Sequence, residues 1–156
     1  MNALSFWLRL LIFTIINFGA LALGAFLMSE GPSSQWYQNA NQAPWTPPGW
    51  VFGAAWFTIM ACFSVYMAKL SKNKSKRNIN LYILLTLLNI AWNPLFFWQH
   101  QVAISLVVIS LLTLLLFYFV WANKSELKSW SVLVFPYLIW LCIATSLNAY
   151  FLFNNP

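Results

Sequence analysis

The chain has 156 residues, 62% of them apolar and only 6% charged, with 10 Trp, 14 Phe and a formal net charge of +6. So few charges cannot coat a water-facing surface, which excludes a soluble domain and makes the chain a membrane protein. The 8 Lys and Arg against 2 Asp and Glu read as an orientation signal or as attraction to anionic lipid, not as a nucleic-acid interface.

Five apolar stretches, about 4–28, 50–70, 81–98, 102–121 and 132–153, are each long enough for a helical crossing. The alternating segments of a transmembrane barrel are missing. The predicted fold is therefore all-α: one domain over 1–156, a five-transmembrane-helix bundle.

The first stretch is too long for a signal-peptide core and is read as a true span. Its Ala20 and Gly24 form a small-xxx-small pair, available for contacts inside the bundle or between copies. The first loop, Ser29 to Gly49, is the one long connection, and Trp36, Tyr37 and Trp45 give it side chains to pack with. Pro47 and Pro48 push the backbone toward extended conformations where the loop enters span two. Trp45 and Trp50 would then stand at the membrane interface as a rigid rim able to close a cavity.

Span two carries Phe52, Trp56 and Met60 at i, i+4 spacing. The second loop, "SKNKSKRN", is short and basic. Span three sets Asn89 and Asn93 on one stripe with Trp92 and Phe96 beside them, and Pro94 should free a carbonyl and kink the axis. The third loop is barely "QHQ", so spans three and four are antiparallel neighbours; span four has no polar or tryptophan pattern and reads as scaffold. Span five carries Pro136, Trp140, Ala144 and Asn148 as one stripe. With five spans, Arg9 and all seven other cations share the side of the N-terminus, and the opposite side has none. The N-terminus is thus expected in the cytoplasm and the long first loop on the other side.

Several chemistries lack material. The two carboxylates, Glu30 and Glu126, fall on opposite sides, so no carboxylate dyad or proton relay is available. His100 stands without Cys, Asp or Glu nearby, so no metal site is expected; it reads as an interfacial polar residue, with haem ligation the alternative. No lysine lies mid-span for a Schiff base. Cys62 and Cys142 read as apolar fillers. No resident cofactor is expected.

Trp7, Trp98, Trp121 and Trp130 suit the interfacial belt, whereas Trp56, Trp92 and Trp140 lie well inside their spans. A packed interior accounts for each of these three singly. Together with the asparagines and small residues such as Gly53 and Ala144, they read as a pocket for a flat, largely apolar ligand, stacked by indole and oriented by a few hydrogen bonds.

The blocks "WYQNANQAPWTPPGWVFGAAW", "LNIAWNPLFF" and "FPYLIWLCIATSLNAYF" resemble the signature blocks of the tryptophan-rich sensory protein/translocator protein family (TspO/MBR, the peripheral benzodiazepine receptors). The resemblance implies a cavity closed by the first loop, commonly in a homodimer, that binds protoporphyrin IX, haem and similar ligands. It implies ligand contacts at Trp36, Tyr37, Pro47, Pro48, Trp50, Asn89, Trp92 and Asn93. Phe52, Trp56, Trp140 and Ala144 complete the expected binding set.

The expected function is thus a porphyrin receptor or carrier in tetrapyrrole handling or stress signalling, in a bacterial cell membrane. An alternative is light-dependent porphyrin degradation with Trp56 and Trp140 as redox partners; a weaker one is a sterol or tetrapyrrole transporter. Two departures from the family pattern bear on this. Ala43 stands where many members have lysine, and no basic residue follows Leu147 and Tyr150 to complete a sterol motif.

Overall fold

The computed structural model describes residues 5–155, and every regular element among them is a helix. Residue 4, the expected start of the first span, lies outside the described residues, as do the outermost positions of the 1–156 domain. The order is α1 (Phe6–Leu27), the single-turn α2 (Gln35–Gln38), α3 (Gly49–Leu70), α4 (Lys76–Asn93), α5 (Val102–Leu127) and α6 (Phe135–Asn154). Among the described residues, four helical runs are long and apolar enough to cross a membrane: Phe6–Ser33, Gly49–Asn73, Lys76–Trp98 and Val102–Asn154. The last, at 53 residues, holds α5 and α6 joined by the 3-10 stretch Lys128–Val134.

With apolar surface everywhere, polar side chains decide which helix faces meet, because an amide turned to lipid has no partner. Asn17 of α1 donates to Ser64 Oγ of α3 at 2.9 Å and accepts from Tyr82 OH of α4 at 2.7 Å. Asn78 of α4 donates to Asn123 of α5 at 2.9 Å. Thr113 of α5 meets Thr145 of α6 at 3.2 Å. Between these ties pack Phe63, Tyr66, Leu85, Leu112, Phe119 and Leu141, all buried.

The small pair of α1 is used up inside the chain. Ala20 and Gly24 are both buried, and a Cβ added at Gly24 would come within 2.9 Å of Asn93 Nδ2. It brings α1 against α4 and is not free to join a second copy.

Other boundaries differ from the sequence expectation. Helix α4 starts five residues early, because Ser75 Oγ accepts from Asn78 N at 3.3 Å and caps it. Helix α5 runs on to Leu127, into the connection expected between the spans 102–121 and 132–153, since Asn123 is buried there and its Nδ2 reaches back to Phe119 O at 2.7 Å. At Pro94 the chain does more than kink: residues Pro94–Trp98 form a π-turn, with Gln99 N donating to Pro94 O at 2.8 Å.

All eight cations gather at one end. Arg9 Nε donates to Ala68 O at 2.9 Å, joining the start of α1 to the end of α3. Lys69 lies over the rings of Phe6 and Trp130, 4.7 and 4.3 Å from their centroids. Lys72, Lys74, Lys76 and Arg77 follow in the α3–α4 connection, and Lys124 and Lys128 close α5 at the same end. The first loop, His100 and the end of α6 lie at the other.

Candidate functional site

The loop end of the bundle encloses a cavity of about 270 Å³. From α1 it takes Leu21, Ala25 and Met28; from the loop, Pro32; from α3, Phe52, Gly53 and Trp56. Asn89, Trp92 and Asn93 of α4, Phe97 of the π-turn, and Trp140 and Ala144 of α6 complete it. None of these residues is charged, and none comes from α5.

The aromatic walls brace one another edge to face, the arrangement favoured by ring quadrupoles. Phe52 meets Trp140 at 5.3 Å and 87°, and Trp56 meets Tyr137 at 5.9 Å and 71°. Trp92 is fixed at its polar end. With the Asn148 amide turned to suit its neighbours, Asn148 Oδ1 accepts from Trp92 Nε1 at 3.1 Å and from Ser105 Oγ at 2.9 Å, while Nδ2 donates to Val102 O at 3.2 Å. That network ties α4, α5 and α6 behind the cavity wall.

Asn93 Nδ2 is held by Asn89 O at 3.1 Å. The side chain of Asn89 is different: the residue lines the cavity, and its Oδ1 is buried with no hydrogen-bond partner among the described residues. Such an acceptor costs about 1–3 kcal/mol, and a bound N–H or O–H donor would remove that cost.

The first loop covers this end. After α1, Ser29 and Gly31 take left-handed φ values of 58° and 53°; Gly31 suits that conformation, whereas a Cβ there would meet the Met28 side chain at 2.9 Å. The turn lays Pro32 over the cavity. Helix α2, capped by Ser34, then presents Trp36 and Tyr37 downward. Trp36 stacks on His100 with centroids 4.0 Å apart, and Tyr37 stacks on Phe151 at 5.8 Å. Burial holds the Tyr37 phenol above its usual pKa range.

Farther along the loop, Trp45 Nε1 donates to Ser146 Oγ at 3.1 Å. Asn41 closes the cover: its N donates to Asn155 Oδ1 at 2.8 Å and its Nδ2 to Asn154 O at 3.1 Å, while its carbonyl accepts from Asn155 Nδ2 at 3.1 Å.

Seven of the twelve expected binding residues therefore line one cavity: Phe52, Trp56, Asn89, Trp92, Asn93, Trp140 and Ala144. Tyr37 lies above it, in a narrow hollow of about 20 Å³ that shares Phe52, Trp92, Phe97 and Ala144 with the cavity. Ala43 lines that hollow too, so the roof has no cation at this position. Trp36 belongs to the cover and faces a polar recess with His100 and Asn155.

Pro47, Pro48 and Trp50 are not brought to the cavity. Pro48 is the residue before α3, and Trp50 is 75% exposed. Two residues along a helix turn the side chain by roughly 200°, so with Phe52 facing inward Trp50 faces outward. Only Trp45 of the expected rim holds the loop down. The α1 contribution went unread in the sequence; the 21, 25, 28 spacing was its signal, obscured by a helix apolar all round.

The sequence model of the TspO/MBR family matches residues 11–153. The chain belongs to the TspO/MBR family. A tryptophan-rich sensory protein of Cereibacter sphaeroides is 31% identical over 91% of this chain and 88% of its own length. The human translocator protein is 30% identical over 91% of this chain and 87% of its own, and a TspO of Chlorobaculum tepidum is 29% identical over 88% and 90%. As a TspO/MBR protein with several long apolar helices, it is a membrane protein.

Proposed function

We propose that this chain is a five-span membrane receptor or carrier that binds porphyrins and similar flat apolar ligands in the tryptophan-walled cavity. The 53-residue run is read as two crossings, since one takes about 20 residues. The eight cations at one end support a cytoplasmic N-terminus by the positive-inside rule. The observation that carries the ligand reading is the lining of Phe52, Trp56, Trp92 and Trp140 beside Asn89, whose buried carbonyl has no partner among the described residues and would suit a ring carrying N–H donors. The homodimer of the family belongs to this proposal, but through a face other than Ala20 and Gly24.

At about 270 Å³ the cavity is just below the usual range of ligand pockets, about 300–1,000 Å³. A tetrapyrrole therefore requires the cover to lift. Without a cation in its lining, the cavity does not hold carboxylates; the propionates stay at the mouth, toward water.

The test is a titration of detergent-purified protein with protoporphyrin IX and with its dimethyl ester, in darkness. Saturable quenching of tryptophan emission by both, within a few-fold in affinity, is the expected result. Saturation by neither sinks the reading.

A second reading rests on Trp56 and Trp140 lining the same cavity. A photoexcited porphyrin held between oxidisable indoles could be broken down with dioxygen as oxidant. In that case the bound porphyrin's absorption band bleaches under illumination in air, and Trp140→Phe stops the bleaching while dark binding survives. A band stable in light leaves both tryptophans as walls.

A further inference from the structure

At the basic end, a groove of about 380 Å³ lies between the start of α1 and the start of α4. Its rim holds Arg9, Lys72, Lys74 and Lys76, and its floor is Ile12, Phe13 and Ile79. Phe13 rests edge-on against Tyr82 at 5.2 Å, so the floor is firm. The rim is built by a short run of chain. After α3 ends, a 3-10 turn over Ser71–Asn73 leads into Lys74 at a left-handed φ of 47°, and Ser75 then caps α4. This fold sets three lysines around one hollow.

The arrangement opposes ordinary electrostatics. Like charges crowd the rim, and Lys76 and Arg77 occupy the first turn of α4, where the helix dipole is already positive and carboxylates are favoured. The first turn has no acidic residue. Glu126, the carboxylate at this end, accepts from Asn73 Nδ2 at 2.7 Å and does not line the groove. An orientation signal needs cations in a loop; it does not need them ringed around an apolar floor.

We propose that this groove binds one anionic phospholipid, its phosphate among Lys72, Lys74 and Lys76 and an acyl chain on Ile12, Phe13 and Ile79. The chain continues along Ile16 of α1 and Ile83 of α4, both exposed. The apolar floor selects lipid over a hydrated phosphate ion, which would leave those side chains uncovered. The charged rim selects an anionic headgroup over a zwitterionic one.

The probe is dioctanoyl phosphatidylglycerol, added to the full chain in a neutral detergent while the melting temperature is followed. The expected result is a saturable rise, absent with dioctanoyl phosphatidylcholine and with inorganic phosphate. Lys72→Gln/Lys74→Gln should raise the half-saturation concentration about tenfold or more. Lys124→Gln/Lys128→Gln, which removes the same charge from the same end, should leave it unchanged. Ile12→Ser, which alters no charge, should weaken phosphatidylglycerol as well. Equal losses in the two lysine pairs would assign the effect to overall surface charge and overturn the site. A saturable response to inorganic phosphate alone would overturn the lipid, and no response to phosphatidylglycerol would overturn both. None of these outcomes depends on the porphyrin cavity at the other end.

Discussion

Two buried asparagines show how the same residue type does opposite work. Asn17 has its amide spent on Ser64 and Tyr82, whereas Asn89 lines the cavity and its buried carbonyl has no partner among the described residues. Asn17→Leu should therefore lower the melting temperature, by an amount worth about 1–3 kcal/mol, because it takes the acceptor from the buried Tyr82 hydroxyl, whereas Ser64 Oγ keeps its bond to Met60 O. Asn89→Leu should leave the melting temperature unchanged or higher and weaken porphyrin quenching several-fold. Thermal unfolding in detergent and the dark titration, run on both variants, check the pair. A stability loss at Asn89 as large as that at Asn17 would mean its carbonyl is not the ligand's acceptor. The sequence named Asn89 as a candidate but could not say that its carbonyl would be buried without a partner, since that depends on the helices around it.

Among the helices, spacing along the chain was a good guide to the α3, α4 and α6 stripes, because each has one polar or aromatic face. It was a poor guide to α1 and α2. Helix α1 is apolar on every side, so its cavity face carried no contrast, and α2 is a single turn held by the rings beneath it rather than by its own propensity. The glycines of α1 give a test of its packing. Gly24 lies against Asn93, whereas Gly19 has no atom within 4 Å of an added Cβ. Gly24→Val should depress the melting temperature by roughly 1–3 kcal/mol of overpacking, and Gly19→Val should not. The π-turn was legible only as a kink; the extra residue in its turn is what carries the chain round to set His100 beneath Trp36.

Over the whole molecule, the two ends have different work to do. The loop end holds the cavity under a cover made of α2, the Trp36–His100 stack and the Asn41 clasp. Trp36→Ala removes the stack without touching the cavity lining, so porphyrin should dissociate several-fold faster with a smaller change in association; stopped-flow displacement measures both. An unchanged dissociation rate would mean the loop is not a lid.

The charged end has a practical corollary. Trypsin cuts after lysine and arginine, and all eight such residues of this chain sit at that one end. In sealed vesicles each molecule is then either open to the protease or wholly protected by the bilayer, depending on which way it was inserted. The surviving fraction of full-length chain counts the two insertions directly, without a tag or a label.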